Sequence, residues 1–144
     1  YTLELHSLVG DKIICDEDLP LAQILGNKLM EKGLTVSSAE SCTGGNIAHQ
    51  ITRIAGSSSY FKGSVVSYAN EVKQNVLKVS LDDIIEYGVV SQPVVEQMVK
   101  GVSEALNTDC AISTSGIAGP GGAVPGKPVG TVWMAAKMCD KRQK

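Results

Sequence analysis

The stretch LTVSSAESCTGGNIAHQI, residues 34–51, holds the pattern that decides the fold. Its first five residues, 34–38, are small or apolar and predict a short buried strand. A loop is expected over 39–43, and a helix is expected from about Gly44, because the apolar residues that follow keep helical spacing. A strand that passes through a turn of small residues into a helix is a typical unit of an α/β domain.

The segments on either side repeat this alternation. The sequence predicts further helices over 20–32, 70–76, 80–87 and 91–106, and further strands over 64–68, 110–115 and 129–138. This interleaving predicts the α/β class, as a three-layer α/β/α sandwich with a central mixed, largely parallel sheet. The loops 39–45, 68–73 and 115–128 each follow a strand, and we expect them to meet at one rim, where such sheets bind ligands.

The composition is that of one ordinary globular domain. The chain has 144 residues, of which 43% are apolar and 19% are charged. Its net charge is −2, so the sequence does not have the excess of basic residues that is typical of a nucleic-acid-binding protein. The four cysteines, at positions 15, 42, 110 and 139, form no CxxC pair, so neither a zinc site nor a disulfide framework is expected. No apolar run approaches the roughly 20 residues that cross a membrane. We therefore expect no metal, no nucleic acid, no membrane partner and a reducing, cytoplasmic location.

The turn AESCTGGNIA, residues 39–48, places three small nucleophilic side chains at the expected helix start. One interpretation is structural: the side-chain oxygen of Ser41 or Thr43 caps the helix by accepting a hydrogen bond from an unpaired backbone N–H of its first turn. The other is catalytic: amides approached through the paired glycines hold an anion or an oxyanion, and Ser41 is the nucleophile. Cys42 is the rival nucleophile, but an adjacent side chain generally points elsewhere, and no histidine partner is evident.

The stretch SYANEVK, residues 67–73, offers a base for such a nucleophile, although it also fits a strand end, an Asn cap and a solvated lysine. Histidine is a poor candidate, because His6 lies in the N-terminal arm and His49 lies off the apolar stripe of its helix, so a Ser-His-Asp triad is disfavoured. A lysine kept neutral by burial can accept the proton instead, and a tyrosine hydroxyl can relay it. Lys73 and Tyr68 form that pair.

The stretch STSGIAGPGGAVPGKPVG, residues 113–130, is dense in glycine. It fits a flexible connection, but such density favours close approach of the backbone to a ligand. Residues 121–127 read GxxxxGK, yet Pro128 stands where a P-loop needs Ser or Thr to hold Mg²⁺, which argues against a nucleoside triphosphatase. The SxxK spacing at 59–62 is a weak match, because the glycine that follows disfavours the helix which that motif requires.

Taken together, these motifs resemble the C-terminal domain of the CinA family, the competence-damage-inducible proteins. The resemblance rests on AESCTGG, AGSSSYFKGSVVSYANEVK, GVVSQPVVEQM and STSGIAGPGG…KPVGTVWMA, which occur in this order across residues 31–136. It implies that residues 1–17 are an N-terminal arm or linker and that residues 18–144 are the amidase domain. Family members continue past the GTVW strand into another strand, an F-x-G-x-R stretch and a last helix, so we expect the C-terminal end of the domain to be truncated here.

The resemblance implies a nicotinamide-nucleotide amidase, which hydrolyses the carboxamide of nicotinamide mononucleotide to nicotinate mononucleotide and ammonia in pyridine-nucleotide salvage. It assigns catalysis to Ser41, Tyr68 and Lys73. From the three stretches described above, we expect substrate binding by Glu40, Thr43, Gly44, Gly45, Asn70, Ser115, Gly116, Gly119 and Gly121. The resemblance implies that the reaction uses no cofactor and that the partner is a small-molecule mononucleotide substrate. It is compatible with a homo-oligomer. The alternatives are a non-catalytic nucleotide-binding or assembly module that keeps the pocket, and a hydrolase of another small amide.

Overall fold

A computed structural model of the chain describes residues 10, 14, 15 and 17–138. Its helices are α1 (Leu21–Lys32), α2 (Asn46–Thr52), α3 (Asn70–Asn75), α4 (Leu81–Tyr87) and α5 (Gln92–Ala105), and its strands are β1 (Val36–Glu40), β2 (Phe61–Val66), β3 (Cys110–Gly116) and β4 (Val132–Met138). A short 3-10 helix covers Ser57–Ser59. The arm predicted over residues 1–17 lies almost wholly outside the described residues, and so does the end of the chain from residue 139.

The four strands form one mixed sheet in the order β2-β1-β3-β4. β1 lies parallel to both β2 and β3, whereas β4 lies antiparallel to β3. The predicted mixed, largely parallel sheet is therefore confirmed. Because β1, β2 and β3 run in the same direction, the chain leaves all three of them at the same edge of the sheet.

Helices cover both faces of this sheet. On one face, the apolar stripe of α5 packs against Ala39 of β1 and Ala111 of β3, and it contributes the buried side chains of Val94, Val95, Met98, Val99 and Val102. On the other face, Leu29 of α1 and Ile51 of α2 pack with Val36 and Tyr60. These two apolar clusters are the interfaces between the three layers of the α/β/α sandwich.

Three boundaries near the rim differ from the sequence prediction. β1 continues to Glu40 and takes two residues from the expected loop, while α2 begins at Asn46. The later start of α2 follows from Gly44 and Gly45, whose φ angles of 60° and 97° are left-handed and do not fit a helix interior. β2 covers Phe61–Val66, so Lys62 lies on a strand and the SxxK match at 59–62 has no helix.

Two absences hold for the part of the chain that the structure describes. None of its helices combines the length and the apolar character needed to traverse a bilayer. Within the same residues, no three His, Cys, Asp or Glu side chains lie close enough together to ligate a metal ion.

Candidate active site

A pocket of about 450 Å³ lies at the edge of the sheet where the parallel strands end. Four segments form it: the turn from β1 into α2 (residues 41–45, the β1–α2 turn), the segment 67–73 after β2, the segment 88–90 after α4, and the end of β3 with the glycine-rich loop between β3 and β4 (residues 117–131, the glycine loop). The structure therefore brings the three predicted loops together. Its size is that of an ordinary small-ligand site.

Ser41 is the first residue after β1 and lines the pocket. Its amide donates to the carbonyl of Thr114 on β3, which is 3.1 Å away, and its own carbonyl accepts from the amide of Gly44 at 3.1 Å. The first bond holds the backbone of Ser41 against the neighbouring strand, and the second closes the turn that follows. The side chain of Ser41 is thus placed by the end of the sheet rather than by a loose loop.

Lys73 lies on α3 and is only 1% exposed. Its Nζ lies 3.2 Å from the Oγ of Ser41, 2.5 Å from the carbonyl oxygen of Ser67 and 3.4 Å from that of Tyr68. Burial lowers the pKa of Lys73, because it penalises the charged amine, and the nearby Cys42 thiol acts in the opposite direction. A neutral amine has two N–H donors and one lone pair, so the two carbonyls can take the donors and leave the lone pair for the Ser41 hydroxyl.

Tyr68 lines the pocket, but not in the way that the sequence suggested. Its side chain is 76% exposed, and its contact with Lys73 is made by its backbone carbonyl. The described residues include no hydrogen bond from the Tyr68 hydroxyl to Ser41 or Lys73. The geometry therefore gives the proton relay through this hydroxyl no support, because Lys73 contacts Ser41 directly.

Glu40 is fully buried beneath the start of α2 and does not line the pocket. Its carboxylate accepts from the amides of Gly45, Ile47 and Ala48 at 2.9 to 3.0 Å. Burial raises the pKa of this carboxyl, but the hydrogen bonds from these amides and from the Thr43 hydroxyl outweigh burial and hold the pKa below its usual value. The assignment of Glu40 to substrate binding needs correction: it is an internal anion that holds the β1–α2 turn.

The same contacts correct the proposed role of the paired glycines. The Gly44 amide donates to the Ser41 carbonyl and the Gly45 amide donates to Glu40, so neither is available for a substrate anion or an oxyanion. Within the turn, the described residues supply no acceptor for the amides of Cys42 and Thr43. Of these two residues only Cys42 lines the pocket, so its N–H group is the oxyanion donor that the turn can offer.

Thr43 and Cys42 also have structural contacts. The Thr43 hydroxyl lies 2.8 Å from that of Thr114 on β3, and neither this side chain nor the two glycines line the pocket. Cys42 does line the pocket, and a Cβ at Gly116 would lie only 2.9 Å from its Sγ. The thiol packs against β3 and needs a glycine there.

The remaining predicted binding residues lie around the pocket wall. Asn70 at the start of α3 lines it, and so do Ser115, Gly116, Gly119 and Gly121 on the β3 side. The hydroxyl of Ser115 donates to the carbonyl of Val89 at 2.8 Å and ties this wall to the segment after α4.

Sequence analysis missed several other lining residues, namely Gly88, Val89, Val90, Ile117, Ala118, Gly122, Val124 and Lys127. The segment 88–90 opens the GVVSQPVVEQM stretch and Lys127 opens the KPVGTVWMA stretch, both of which carry the family resemblance. The resemblance assigned neither of them a role, and their local patterns indicated only a helix end and an incomplete P-loop. Its proximity to the pocket depends on the folding of the glycine loop, which the sequence pattern does not define.

The comparisons with known proteins agree with this architecture. The CinA C-terminal domain family matches residues 18–144. A CinA-like protein of Salinibacter ruber is 52% identical over 125 residues, which are 87% of this chain and 30% of that protein. A CinA-like protein of Sulfurihydrogenibium is 47% identical over 122 residues, or 85% of this chain and 30% of its own length. The chain thus spans less than a third of these two relatives.

Solved structures give the same result. A competence/damage inducible protein from Agrobacterium tumefaciens superimposes with a TM-score of 0.80 at 41% identity, covering 82% of this chain and 72% of the other. A CinA superfamily protein from Escherichia coli gives a TM-score of 0.80 at 30% identity, covering 91% of this chain and 74% of the other. This chain belongs to the CinA family, as an instance of its C-terminal domain.

Proposed function

We propose that this domain hydrolyses the carboxamide of nicotinamide mononucleotide to nicotinate mononucleotide and ammonia. One observation carries the proposal: the Nζ of the buried Lys73 lies 3.2 Å from the Oγ of Ser41. A serine hydroxyl is a weak nucleophile until a nearby base removes its proton, and a lysine that burial keeps neutral is such a base. The reaction requires no metal or redox cofactor, and pyridine-nucleotide salvage would take place in the cytoplasm.

The first half of the reaction forms an acyl-enzyme. The neutral amine of Lys73 accepts the proton of Ser41 as the serine oxygen bonds to the amide carbon of the substrate. The carbonyl electron pair moves to oxygen, and the amide of Cys42 donates to that oxyanion. When the intermediate collapses, the C–N bond breaks, the leaving nitrogen takes the proton from Lys73, and ammonia departs.

The second half regenerates the enzyme. A water molecule gives a proton to Lys73 as its oxygen bonds to the carbon of the nicotinoyl ester. Collapse of this second intermediate breaks the bond to Ser41, whose oxygen recovers the proton from Lys73. Glu40 takes no part in these proton transfers, since its carboxylate holds the backbone of the β1–α2 turn that contains the oxyanion donor.

The walls of the pocket suit a mononucleotide. Among the described residues, no aspartate or glutamate lines the pocket, while two lysines, Lys73 and Lys127, do. Lys73 acts as a neutral base in this proposal, so Lys127 supplies the positive charge, and a positively charged wall favours an anionic ligand. The exposed ring of Tyr68 stands at the same pocket and offers a flat apolar surface to the pyridine ring.

The test is ammonia release from nicotinamide mononucleotide, followed in a coupled assay on the purified protein. Ser41→Ala removes the attacking oxygen and is expected to lower kcat by about 10³-fold or more. Ser58→Ala, an exposed serine outside the pocket, is the matched control and should keep the wild-type rate. Full activity of Ser41→Ala contradicts the proposal. Binding of the mononucleotide by the wild-type protein without ammonia release contradicts it too, and favours a module that only binds the nucleotide.

A further inference from the structure

Lys127 is held at the pocket by a tight turn. Val124 and Lys127 exchange two backbone hydrogen bonds, of 3.1 and 2.9 Å, across the dipeptide Pro125-Gly126. Gly126 has a φ of 78°, which is the conformation that the third position of a type II turn requires, and proline is favoured at the position before it. The backbone of Lys127 is therefore fixed by the two hydrogen bonds of this turn and by its Pro-Gly dipeptide.

The Nζ of Lys127 lies between the glycine loop and the end of α4. It donates to the carbonyl of Tyr87, which is the last residue of that helix and one of the carbonyls that a helix leaves without an internal partner. An ammonium has three donors, so two remain for a ligand. Lys127 lines the pocket together with Gly119, Gly121 and Gly122.

Lys127 is available to bind an anion, whereas several other polar groups near the pocket already have partners within the protein. Lys73 is committed to Ser41 and two carbonyls, and the amides at the start of α2 are occupied by Glu40. In the glycine loop, by contrast, the described residues supply no acceptor for the amides of Gly119, Gly121 and Gly122. Free amides close together along the chain, beside a cation, form a surface that suits a phosphate group.

We infer that Lys127, with the amides of the glycine loop, binds the phosphomonoester of the substrate and so determines specificity for a nucleotide over a nucleoside. The inference rests on the proposed function, which it deepens by naming the group that recognises the phosphate. In this arrangement the phosphate lies on the wall that the glycine loop forms. The amide that reacts lies at Ser41.

A purely structural role for Lys127 predicts different behaviour. If its only task were to satisfy the Tyr87 carbonyl, its loss would change stability, or would change the rates with all substrates in the same proportion. A phosphate-binding role changes KM for the phosphorylated substrate alone. The two roles are therefore separated by comparing nicotinamide mononucleotide with nicotinamide riboside, which lacks the phosphate.

The experiment measures kcat and KM for both substrates in wild type, Lys127→Gln, Lys127→Arg and Lys100→Gln. Lys127→Gln should raise KM for the mononucleotide by about 10- to 100-fold, the range expected for a hydrogen bond to a charged group, and leave kcat and the riboside unchanged. Lys127→Arg keeps the charge and should restore most of the affinity. Lys100 is exposed on α5 and does not line the pocket, so its variant should match wild type.

A binding measurement separates this inference from the amidase proposal. Titration calorimetry of ribose 5-phosphate with Ser41→Ala, and with Ser41→Ala carrying Lys127→Gln, needs no turnover. A loss of affinity in the double variant supports the phosphate site even if the wild-type protein releases no ammonia. An unchanged ratio of KM values, or equal affinity of both proteins for ribose 5-phosphate, overturns the inference while leaving the amidase proposal untouched.

Discussion

The β1–α2 turn and the glycine loop look alike in sequence but behave in opposite ways. Both follow a parallel strand, both are rich in glycine, and both present backbone amides at the same pocket. In the β1–α2 turn, a buried carboxylate of the protein itself accepts from the amides at the start of α2. In the glycine loop no such internal anion is present among the described residues, and the amides of Gly119, Gly121 and Gly122 have no protein acceptor.

This difference indicates how the work of the site is divided. The carboxylate of Glu40 holds the Gly45 amide and the Ser41 amide is bonded to β3, so both ends of the β1–α2 turn are fixed and it can hold a nucleophile at a fixed position relative to its base. A loop whose amides are unsatisfied gains its partners when a ligand arrives. Chemistry is thus expected to depend on the first region and ligand binding on the second.

The largest effect is expected from the base that acts on the β1–α2 turn. Lys73→Met keeps an unbranched apolar side chain in a buried position but removes the proton acceptor for Ser41. We expect kcat for ammonia release to fall by about 10²- to 10⁴-fold, the usual contribution of a general base, with KM little changed. Lys78→Met, an exposed lysine just beyond α3, is the control. A wild-type rate in Lys73→Met would remove the base from the mechanism.

Much of the scaffold could be predicted from the sequence because its signals are local. The stripe of α5, which includes Val95, Met98 and Val102, has the spacing of one helix face, and the structure packs that face on the sheet. The positions of strands and glycine-rich turns then imply which loops share an edge, because parallel strands all end on the same side. These features follow from periodicity and need no knowledge of distant contacts.

The use of individual polar groups could not be predicted in the same way. The sequence pattern places Glu40 in the loop, whereas the structure places it at the end of β1. Its role becomes clear only from the packing of α2, whose first amides donate to its carboxylate. Tyr68 carries a hydroxyl that suits a relay, but the backbone places its carbonyl on Lys73 and leaves its ring exposed. Which atom of a residue meets the site depends on tertiary geometry, so composition and spacing carry no signal for it.

The second prediction concerns the internal anion of the β1–α2 turn. Glu40→Gln replaces one acceptor oxygen with an NH₂ group that faces backbone N–H donors, so at least one buried hydrogen bond is lost. We expect the free energy of unfolding at pH 7 to fall by about 1–3 kcal/mol, and kcat to fall as Ser41 loses its fixed position. Urea unfolding and ammonia release measure the two effects.

Acid provides the internal control for Glu40. The folded-state pKa lies below the ordinary value of 4.5, so the ionised carboxylate stabilises the fold above the unfolded pKa, and this contribution is lost as the pH falls through the folded pKa. Glutamine does not titrate. The difference in unfolding free energy between wild type and variant should therefore be greatest near neutrality and narrow below pH 4.5. A difference that stays constant into acid would show that the charge of Glu40 does not stabilise the turn.

Single methyl groups on the β3 side of the pocket should change stability to very different degrees. A Cβ at Gly116 would lie 2.8 Å from Val132 Cγ2, 2.9 Å from Cys42 Sγ and 3.0 Å from the Thr131 carbonyl oxygen, whereas a Cβ at Gly121 would meet nothing within 4 Å. Gly116→Ala should therefore lower the free energy of unfolding by about 1–3 kcal/mol through overpacking. Gly121→Ala should change it by no more than about 0.5 kcal/mol. Thermal and urea unfolding of the two variants measures this difference. Equal stability of the two variants would show that the close packing of β3 against Cys42 does not stabilise the fold.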